Sequence, residues 1–365
     1  MKILLLGDYS NVHATLAEGL RQLGHEVTVA SDGDEWKNYP RDVDLYRDLN
    51  WGKWKTLRYL WHLVKEFRKF RGYDIVQLIN PIFIPLKAER IMPFYNFLRR
   101  FNKRVFLGAF GMDHYWVQAG LDCTTFRYSD FNMGLEVRES EENDIWIREW
   151  LRGKKGELNQ RIAADCDGII AGLYEYYASY APHYADKMTF IPFPIRPNKE
   201  VKVSEQVPQR VRFFIGIQKH RSVYKGTDIM LRALERVAQE LPEKCEIVRV
   251  ESVPFAEYVQ LMNGSDVILD QLYSYTPAMN ALEAMARGLI VVGGAEPEHY
   301  TLMNEHKLQP IINVQPQEES VYQALKELAL HPERIPQLKR DSVNYILKHH
   351  DYIKVAKRYL EVWSK

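Results

Sequence analysis

The stretch Asp270–Gly294, DQLYSYTPAMNALEAMARGLIVVGG, combines a strand end, a polar turn, a short helix and a second buried strand. Thr276 is a typical N-cap residue, and Pro277 follows at the first helical position, where its missing N–H is not needed. Gly288 predicts a left-handed stop, and Leu289–Val292 is an apolar run typical of a strand buried on both faces. The stretch therefore predicts a strand–helix–strand unit of a parallel α/β sheet.

The helix predicted in this stretch begins where a strand ends. Its first N–H groups and the positive end of its dipole point towards whatever lies at that edge of the sheet. A phosphate group is the natural occupant of such a position. We therefore expect a phosphate-binding turn formed by Thr276, Pro277, Ala278 and Met279.

Glu283 adds a second feature to this predicted site. It lies one helical turn beyond Met279 on the same face, six residues and about 9 Å from the predicted helix start. That length is similar to the reach from a diphosphate to the ribose of the same nucleotide. A carboxylate there accepts hydrogen bonds from two vicinal hydroxyls, and the alternative is a solvated helix glutamate.

Length and composition narrow the remaining possibilities. With 365 residues the chain exceeds one typical core, so two domains are expected. A net charge of +1 argues against a nucleic-acid-binding protein. The three cysteines are far apart and form no metal-ligand spacing, which fits a reducing, cytoplasmic location. No window reaches about 18 uninterrupted apolar residues, so no membrane span is expected.

The amino terminus shows the same alternation of strand and helix. Lys2–Leu6 and Glu26–Ala30 predict strands on either side of a helix at Ala14–Leu23, the opening unit of a doubly wound sheet. Gly7 is the one glycine in the first turn, so the G-x-G-x-x-G fingerprint of dinucleotide-binding enzymes is missing. Further strands are predicted at Ile75–Ile79, Val105–Ala109 and Gly168–Ala171.

Three closely spaced prolines in Ile191–Lys199 predict a linker, because proline interrupts helices and central strands. A second α/β unit follows the linker. We expect domains at 1–191 and 192–347, with a final helix within 348–365 that returns to the first domain. The elements predicted after the linker are strands at Val211–Ile215, Glu246–Val250, Val267–Leu269 and Pro310–Val314, and helices at Thr227–Glu240, Phe255–Met262 and Tyr352–Trp363.

A basic loop follows the first strand of this second unit. It carries Lys219, Arg221 and Lys225 ahead of a helix, which places cations at the carboxyl edge of a parallel sheet. Lysine acts there as a point charge and arginine as a fork, so the loop and the helix start after it predict a diphosphate clamp. A solvated basic loop is the alternative.

These residues resemble a known family. Lys225-Gly226-Thr-Asp followed by an amphipathic helix is similar to the G-R-x(n)-K-G segment of retaining GT-B glycosyltransferases of the GT4-like group. Leu282-Glu283-Ala-Met-Ala-Arg-Gly288 resembles the end of their E-x7-E signature, and Gly24-His25-Glu26-Val27 resembles their first βαβ unit. The resemblance extends over the whole chain, 1–365.

The resemblance implies two Rossmann-like domains with a nucleotide-sugar in a cleft, held mostly by the second domain. It assigns Glu283 to the ribose hydroxyls and Lys225 to the donor phosphates. The family arginine corresponds to either Lys219 or Arg221. Tyr275 stands where the first glutamate of the signature belongs, which leaves the identity of the donor sugar and the details of the mechanism open.

The amino-terminal domain is expected to supply the acceptor side. The candidate loop is Gly7, Asp8, Tyr9 and Ser10 after the first strand. A second loop carries Asp113 and His114 after the strand Val105–Ala109, and family members often place such residues near the donor sugar. We expect Asp113 to accept a sugar hydroxyl or His114 to form a polar lid, and a plain surface loop is the alternative.

Two basic segments bear on partners. Residues 51–72 and 87–104 combine many lysines and arginines with tryptophan, leucine and phenylalanine. Basic amphipathic helices with aromatic residues are typical of membrane-surface contacts, which fits a lipid-linked acceptor. The alternative is a helix packed through its Trp/Leu stripe with a solvated basic face. The acidic run 136–149 is interpreted as a solvated insertion.

We therefore expect a two-domain GT-B glycosyltransferase that moves a sugar from a nucleotide-diphosphate donor, with retention, to a glycan or lipid-linked acceptor. Fixed cations replace a metal, so no metal or other cofactor is expected. Bacterial surface-polysaccharide synthesis is the expected setting, in the cytoplasm or at the membrane surface. The alternatives are a nucleotide-sugar 2-epimerase of similar fold and a catalytically idle GT-B binding module, which Tyr275 keeps open.

Overall fold

The computed structural model describes residues 1–34, 37–48, 50–197, 201, 203–217, 222–251, 253 and 255–365. The chain divides into two compact units. The first comprises Met1–Thr125, Glu139–Pro194 and Tyr352–Lys365, and the second comprises Phe126–Arg138 and Ile195–Asp351.

In the described residues, the first unit is built on a seven-stranded sheet whose paired strands are parallel. Its strands appear in the spatial order β3-β2-β1-β4-β5-β8-β9, so the chain reverses direction across the sheet between β1 and β4. Their side chains are mostly buried, as expected for strands covered on both faces. The strands are β1 (Lys2–Leu6), β2 (Glu26–Ser31), β3 (Val43–Asp44), β4 (Ile75–Leu78), β5 (Arg104–Ala109), β8 (Gly168–Ala171) and β9 (Met188–Phe190).

The described part of the second unit holds a five-stranded parallel sheet in the order β11-β10-β12-β13-β14 and a short antiparallel hairpin, β6-β7. The two parallel sheets confirm the predicted α/β class with two Rossmann-like domains. The strands are β6 (Asn132–Met133), β7 (Glu136–Val137), β10 (Val211–Ile217), β11 (Cys245–Glu251), β12 (Val267–Leu269), β13 (Ile290–Gly293) and β14 (Ile312–Asn313).

Helices connect most of these strands, as parallel pairing requires. In the first unit they are α1 (Val12–Gln22), α2 (Lys53–Phe67), α3 (Met92–Phe101), α4 (His114–Leu121), α5 (Glu141–Trp150), α6 (Lys154–Asp165), α7 (Tyr174–Tyr184) and α15 (Tyr352–Trp363). In the second unit they are α8 (Ser222–Lys225), α9 (Thr227–Glu240), α10 (Phe255–Met262), α11 (Met279–Ala286), α12 (Pro297–Leu302), α13 (Glu318–Leu330) and α14 (Ile335–Tyr345), with a π-helix at Ile346–His350.

The last helix, α15, belongs to the first unit and packs on α1. A methyl group on Gly19 would lie 2.5 Å from the Tyr352 carbonyl oxygen, so the two helices approach closely at that glycine. Gln22 Nε2 donates a hydrogen bond to the Tyr352 hydroxyl at 2.5 Å. Arg104 Nη1 donates to the Trp363 carbonyl at 2.9 Å, which fastens the other end of α15 beside β5.

Two local predictions differ from the structure. The helix predicted to start at Thr276 and Pro277 begins at Met279, with Ala278 as its N-cap residue. Thr276 instead belongs to a buried turn in which the Ser274 hydroxyl donates to its carbonyl at 2.6 Å. The acidic run 136–149, interpreted as one solvated insertion, is divided between the two units, with β7 at its start and most of α5 in the remainder.

Candidate functional site

Helix α11 begins after the loop that leaves the carboxyl end of β12, as predicted. Its N-cap residue Ala278 is extended, with φ −85° and ψ −179°, and its methyl side chain cannot cap the helix. The first-turn N–H groups of an uncapped helix need an outside partner, and an anion is the partner that the helix dipole favours. Gly288 ends the segment with φ +81°, as the sequence predicts.

Asp270, at the end of β12, organises the loop before α11. Asn280 Nδ2 donates to Asp270 Oδ1 at 3.0 Å, and the Tyr258 hydroxyl donates to Asn280 Oδ1 at 3.1 Å. Burial raises the pKa of Asp270, while the Asn280 hydrogen bond and the nearby charge of Lys225 oppose that rise. The first turn of α11 is thus tied to the strand end, close to a cation.

Lys225 connects the two segments that were predicted separately. The Leu272 N–H, in the loop before α11, donates to the Lys225 carbonyl at 3.0 Å. Gly226 follows with φ +72° and packs so closely that a methyl group on it would lie 2.7 Å from Leu272 Cβ. Lys225 therefore stands beside the loop of α11. Lys219 and Arg221, the other predicted cations, lie outside the described residues.

Glu283 lies in the middle of α11, and its side chain is 37% exposed. Its Oε2 atom is 3.9 Å from Arg287 Nη2, a loose ion pair one helical turn away. Burial raises the pKa of Glu283 and the Arg287 charge lowers it, with burial the larger effect. Because the helix begins at Met279, Glu283 is about 6 Å from its start rather than about 9 Å.

Two glycines, the last residue of β13 and the one after it, leave room for the loop that leads to α11. A methyl group on Gly294 would lie 1.7 Å from the Ser274 carbonyl oxygen, and one on Gly293 would lie 3.2 Å from the Gln271 carbonyl oxygen. Any side chain at Gly294 would therefore displace the loop backbone. The sequence VVGG shows these glycines, but their role depends on a contact that the sequence does not reveal.

In the first unit, the predicted loop Gly7–Ser10 forms the turn between β1 and α1. Asp8 is buried and accepts hydrogen bonds from the His13 N–H at 3.0 Å and the Ala14 N–H at 3.1 Å, so it caps α1. Burial raises the pKa of Asp8 to about 7 against these hydrogen bonds. Tyr9 packs across Gly111, with 3.2 Å between its Cε2 atom and the position of a methyl group there.

The second predicted loop of this unit also has a structural role. Asp113 is fully buried; its Oδ1 accepts the Trp116 N–H at 2.9 Å and its Oδ2 accepts the Tyr180 hydroxyl at 2.7 Å. It is the N-cap of α4. His114 Nδ1 is 2.9 Å from the Trp150 carbonyl, and its Nε2 is 2.7 Å from Gln160 Nε2. Both side chains are therefore committed within the fold.

No group of three or more His, Cys, Asp or Glu residues able to hold a metal ion occurs within the described ranges. Those ranges also contain no helix that is long and apolar enough to cross a bilayer.

Residues 208–361 match a protein-family model described as glycosyl transferase-like. The match covers most of the second unit and extends into α15. No curated protein matches the sequence of this chain.

Solved structures with the same fold cover the chain almost completely. Sucrose-phosphate synthase from Thermosynechococcus elongatus has a TM-score of 0.60 at 13% identity, with 100% of this chain and 98% of that chain covered. HepE from Anabaena, in complex with UDP-glucose, has a TM-score of 0.59 at 13% identity, with 100% and 99% covered. The lipopolysaccharide glycosyltransferase WaaG has a TM-score of 0.53 at 12% identity, with 99% of each chain covered. These likenesses confirm the predicted GT-B fold, and the family match confirms the predicted class of enzyme.

Sequence reasoning missed two features around this candidate site. Asp270 and Asn280 were not singled out, although an acid at the end of a buried strand is a visible signal. The segment Phe126–Arg138 was assigned to the first domain, yet its contacts place it in the second unit. Nothing in its own composition indicates that attachment.

Proposed function

We propose that this protein transfers a sugar, with retention, from a nucleotide-diphosphate donor to a glycan or lipid-linked acceptor. The observation that carries the proposal is the contact of Leu272 with Lys225 at 3.0 Å. It brings a lysine and an uncapped helix start together at the carboxyl edge of one sheet, where parallel α/β folds bind phosphorylated ligands.

The proposed mechanism assigns each group one task. Lys225 and the amide end of α11 stabilise the diphosphate as it leaves, because fixed positive charge there favours the developing negative charge. Glu283 accepts the hydroxyls of the ribose. Lys219 and Arg221 are proposed as further phosphate contacts from the sequence alone. Since these cations already supply the needed charge, the proposal includes no metal ion.

Asp113 and His114 fit a supporting role better than a catalytic one. The carboxylate of Asp113 has two donors and no exposure, and both ring nitrogens of His114 have a polar neighbour. We propose that they shape the loop after β5 for the acceptor side without touching the sugar. Gly7–Ser10 would then be the backbone of the neighbouring loop on that side.

UDP-sugars are the first donors to test, because HepE binds UDP and UDP-glucose. A nucleotide at 100 times its dissociation constant raises the free energy of unfolding by about 2.7 kcal/mol. We expect UDP, GDP, ADP or TDP-sugars to raise the melting temperature of the parent, and Lys225→Ala and Glu283→Ala each to abolish that rise while folding normally.

Matched controls are available in the turn before β11. Glu243 and Lys244 are exposed and lie at the amino end of a strand of the same sheet, opposite the proposed site. Glu243→Ala and Lys244→Ala should keep the full nucleotide response. If Lys225→Ala and Glu283→Ala respond like these controls, the site assignment is wrong.

Turnover separates the enzyme from the alternatives. Slow hydrolysis of the donor to sugar and nucleoside diphosphate without acceptor supports the transferase. Binding of donor without any turnover supports an idle module, for which Tyr275 is the motivating departure from the family pattern. Conversion of the bound nucleotide-sugar to its 2-epimer supports the epimerase.

We further propose that α2 contacts an anionic membrane surface that carries the acceptor. Tyr59, Leu63 and Phe67 face the core, so packing does not explain the tryptophans of this helix. Trp54 and Trp61 are 85% and 69% exposed. Together with Leu57 and Val64 they line an apolar groove of about 630 Å³ flanked by lysines and arginines. An apolar stripe beside basic residues matches an anionic lipid surface.

Liposome flotation tests the membrane contact. We expect the parent to float with vesicles containing phosphatidylglycerol but not with phosphatidylcholine alone, and Trp54→Ser with Trp61→Ser to abolish flotation. Val207→Ser, at an exposed apolar residue of the second unit, is the control. Equal flotation of the double variant and the control would contradict the contact. The structural likeness to WaaG, a glycosyltransferase involved in lipopolysaccharide biosynthesis, supports a surface-polysaccharide setting.

A further inference from the structure

A hairpin from the first half of the sequence packs on the second unit. Phe126–Arg138 follows α4 along the chain, and its strands β6 and β7 pair antiparallel. Asn132 Nδ2 donates to the Phe126 carbonyl at 2.8 Å and to the Gly134 carbonyl at 3.0 Å, which closes the hairpin internally. The hairpin is therefore a compact element attached to the glycosyl transferase-like domain.

The hairpin covers the position where the family pattern has its first glutamate. Tyr275 is 2% exposed, and its hydroxyl accepts the Arg127 backbone N–H at 2.7 Å. Its ring lies 5.6 Å from the Phe126 ring and 5.0 Å from the Tyr128 ring, measured between centroids. A carboxylate here would lose its hydration among aromatic rings and stand near Glu296, so tyrosine suits this buried contact better.

Glu296 is the second anchor of the hairpin. It accepts Arg127 Nη2 at 2.5 Å and the Tyr128 hydroxyl at 2.6 Å. Asn313 Nδ2, at the end of β14, donates to the Glu296 carboxylate at 2.9 Å. The backbone N–H of Glu296 donates to the Tyr275 carbonyl at 3.0 Å. Burial opposes ionisation, but these hydrogen bonds and the Arg127 charge hold the pKa of Glu296 below its ordinary value. Glu296 thus contacts the hairpin through its carboxylate and the loop before α11 through its backbone N–H.

The hairpin also contacts the segment that ends in Lys225. The Tyr224 hydroxyl donates to Asp130 Oδ2 at 2.7 Å, and Arg138 Nη2 donates to the Val223 carbonyl at 3.1 Å. The Arg138 guanidinium stacks 3.4 Å from the centroid of Tyr273, in the loop before α11. The same short element therefore touches both segments of the proposed phosphate site.

We propose that the hairpin Phe126–Arg138 positions the donor site, with Tyr275 as its buried anchor and Tyr224 as its link to Lys225. The inference rests on the proposed function of that site. It explains the departure from the family pattern: residue 275 holds a positioning element in place of a carboxylate beside the sugar.

Tyr224→Phe is the first test, because it removes only the hydroxyl that donates to Asp130. Because residues in direct contact are energetically coupled, we expect the dissociation constant for UDP to rise about fivefold. The donor KM should rise equally, with kcat for donor hydrolysis nearly unchanged. Asp130→Ala should have the same effect, whereas Asp130→Asn keeps an acceptor oxygen and should restore most of the affinity.

Tyr322→Phe is the matched control. The Tyr322 hydroxyl donates to Glu240 Oε2 at 2.5 Å in the same unit, so this variant also loses one tyrosine–carboxylate hydrogen bond. Its UDP affinity should equal that of the parent. If Tyr224→Phe and Asp130→Ala match this control in UDP affinity and donor KM, the hairpin does not position the site and the inference is overturned.

Tyr275→Glu restores the family carboxylate and separates two views of this position. If the missing carboxylate impairs the enzyme, Tyr275→Glu should turn over the donor faster than the parent, and that result would overturn the inference. A hairpin anchor should instead lose UDP affinity about tenfold, because the buried acid repels Glu296 and loosens the hairpin. If Tyr275→Glu does not fold, the UDP affinities of Tyr224→Phe, Asp130→Ala and Asp130→Asn decide between the two views. A parent that binds no nucleotide defeats the proposed function itself, whereas a binding parent with unresponsive variants defeats the hairpin alone.

Discussion

The starts of α4 and α11 both follow a parallel strand, yet their first turns are satisfied differently. Asp113 caps α4 by accepting the Trp116 N–H at 2.9 Å, and the Tyr180 hydroxyl occupies its other oxygen. At α11 the N-cap residue is Ala278, whose methyl side chain cannot accept a hydrogen bond from the first turn. The hydrogen bonds of a polar residue at a strand end can thus all be made within the fold, whereas a helix whose N-cap residue has no polar side chain can offer its N–H donors to a ligand.

Asp8 and Asp270 show the same contrast. Asp8 accepts two backbone N–H groups of α1, at 3.0 and 3.1 Å, and so closes that helix start. Asp270 bonds the Asn280 side chain at 3.0 Å, which orients α11 without using its amides. The residue type is the same in both loops. The partner within reach decides whether the acid completes the fold or prepares a site.

The largest effect is expected from removing the cap of α4. Asp113→Ala leaves the Trp116 N–H and the Tyr180 hydroxyl without their buried acceptor, so the free energy of unfolding should fall by about 3 kcal/mol. Urea denaturation measures this loss. The UDP-induced stabilisation should persist in the fraction that remains folded.

Asp144→Ala serves as the control for this change, since Asp144 is an exposed acid in the first turn of α5. It should alter stability by less than about 0.5 kcal/mol. An Asp113→Ala protein of parental stability that lost donor turnover would reverse the comparison and return Asp113 to the reacting sugar.

The second effect concerns the space beside α11. Gly294→Ala would place a methyl group 1.7 Å from the Ser274 carbonyl, so the loop before α11 must move. We expect a loss of about 2 kcal/mol in stability, as for other overpacked sites, together with weaker UDP binding by calorimetry. Gly52→Ala, where no atom lies within 4 Å of the added methyl, should leave both unchanged. Unaltered UDP affinity in Gly294→Ala would separate this loop from the site.

Much of the fold follows from hydrophobic pattern and glycine placement. The predicted bounds of β8, α9, α10, β12 and α15 agree with the structure, because buried apolar runs and helical periodicity are local properties of the sequence. The start of α11 was predicted wrongly at Thr276. A proline after a threonine imitates a helix start, but Ser274 holds Thr276 in a turn instead.

The site was less predictable because its features depend on distant residues. The attachment of Phe126–Arg138 to the second unit rests on Tyr275 and Glu296, more than a hundred residues later in the chain. Likewise, Asp113 has the same residue type whether it caps a helix or meets a sugar. Only the position of Tyr180, on another helix, distinguishes the two roles.

A smaller effect is expected from giving α11 the cap that α4 has. Ala278 already has the extended backbone of an N-cap residue, so Ala278→Asp should raise stability by about 1 kcal/mol. The new carboxylate occupies the amides and repels phosphate, so UDP affinity should fall, as calorimetry would show. Gln317→Asp adds a comparable cap to α13 and should change stability alone. A capped α11 that binds UDP as well as the parent would show that its amide end does not hold the phosphates.

The smallest effect concerns Glu283 and has the opposite sign to that of Asp113. Because burial raises its pKa in the folded state, ionised Glu283 costs stability at pH 7, and the cost disappears as pH falls below its ordinary value of 4.5. Glu283→Gln removes that cost. Solvent screens the 37% exposed side chain, so the gain at pH 7 should be about 0.5 kcal/mol and vanish near pH 4.

Urea titrations of parent and Glu283→Gln at several pH values between 4 and 7 measure this gain, with Glu243→Gln in the exposed turn as the control. Replacing a residue that the fold needs lowers the stability of the protein, as we expect for Asp113. Replacing an acid that serves a ligand should raise the stability of the protein and weaken ligand binding, because its carboxylate is desolvated while no ligand hydroxyl donates to it. Lower stability of Glu283→Gln at pH 7 would therefore place Glu283 with Asp113, among the residues that hold the fold together.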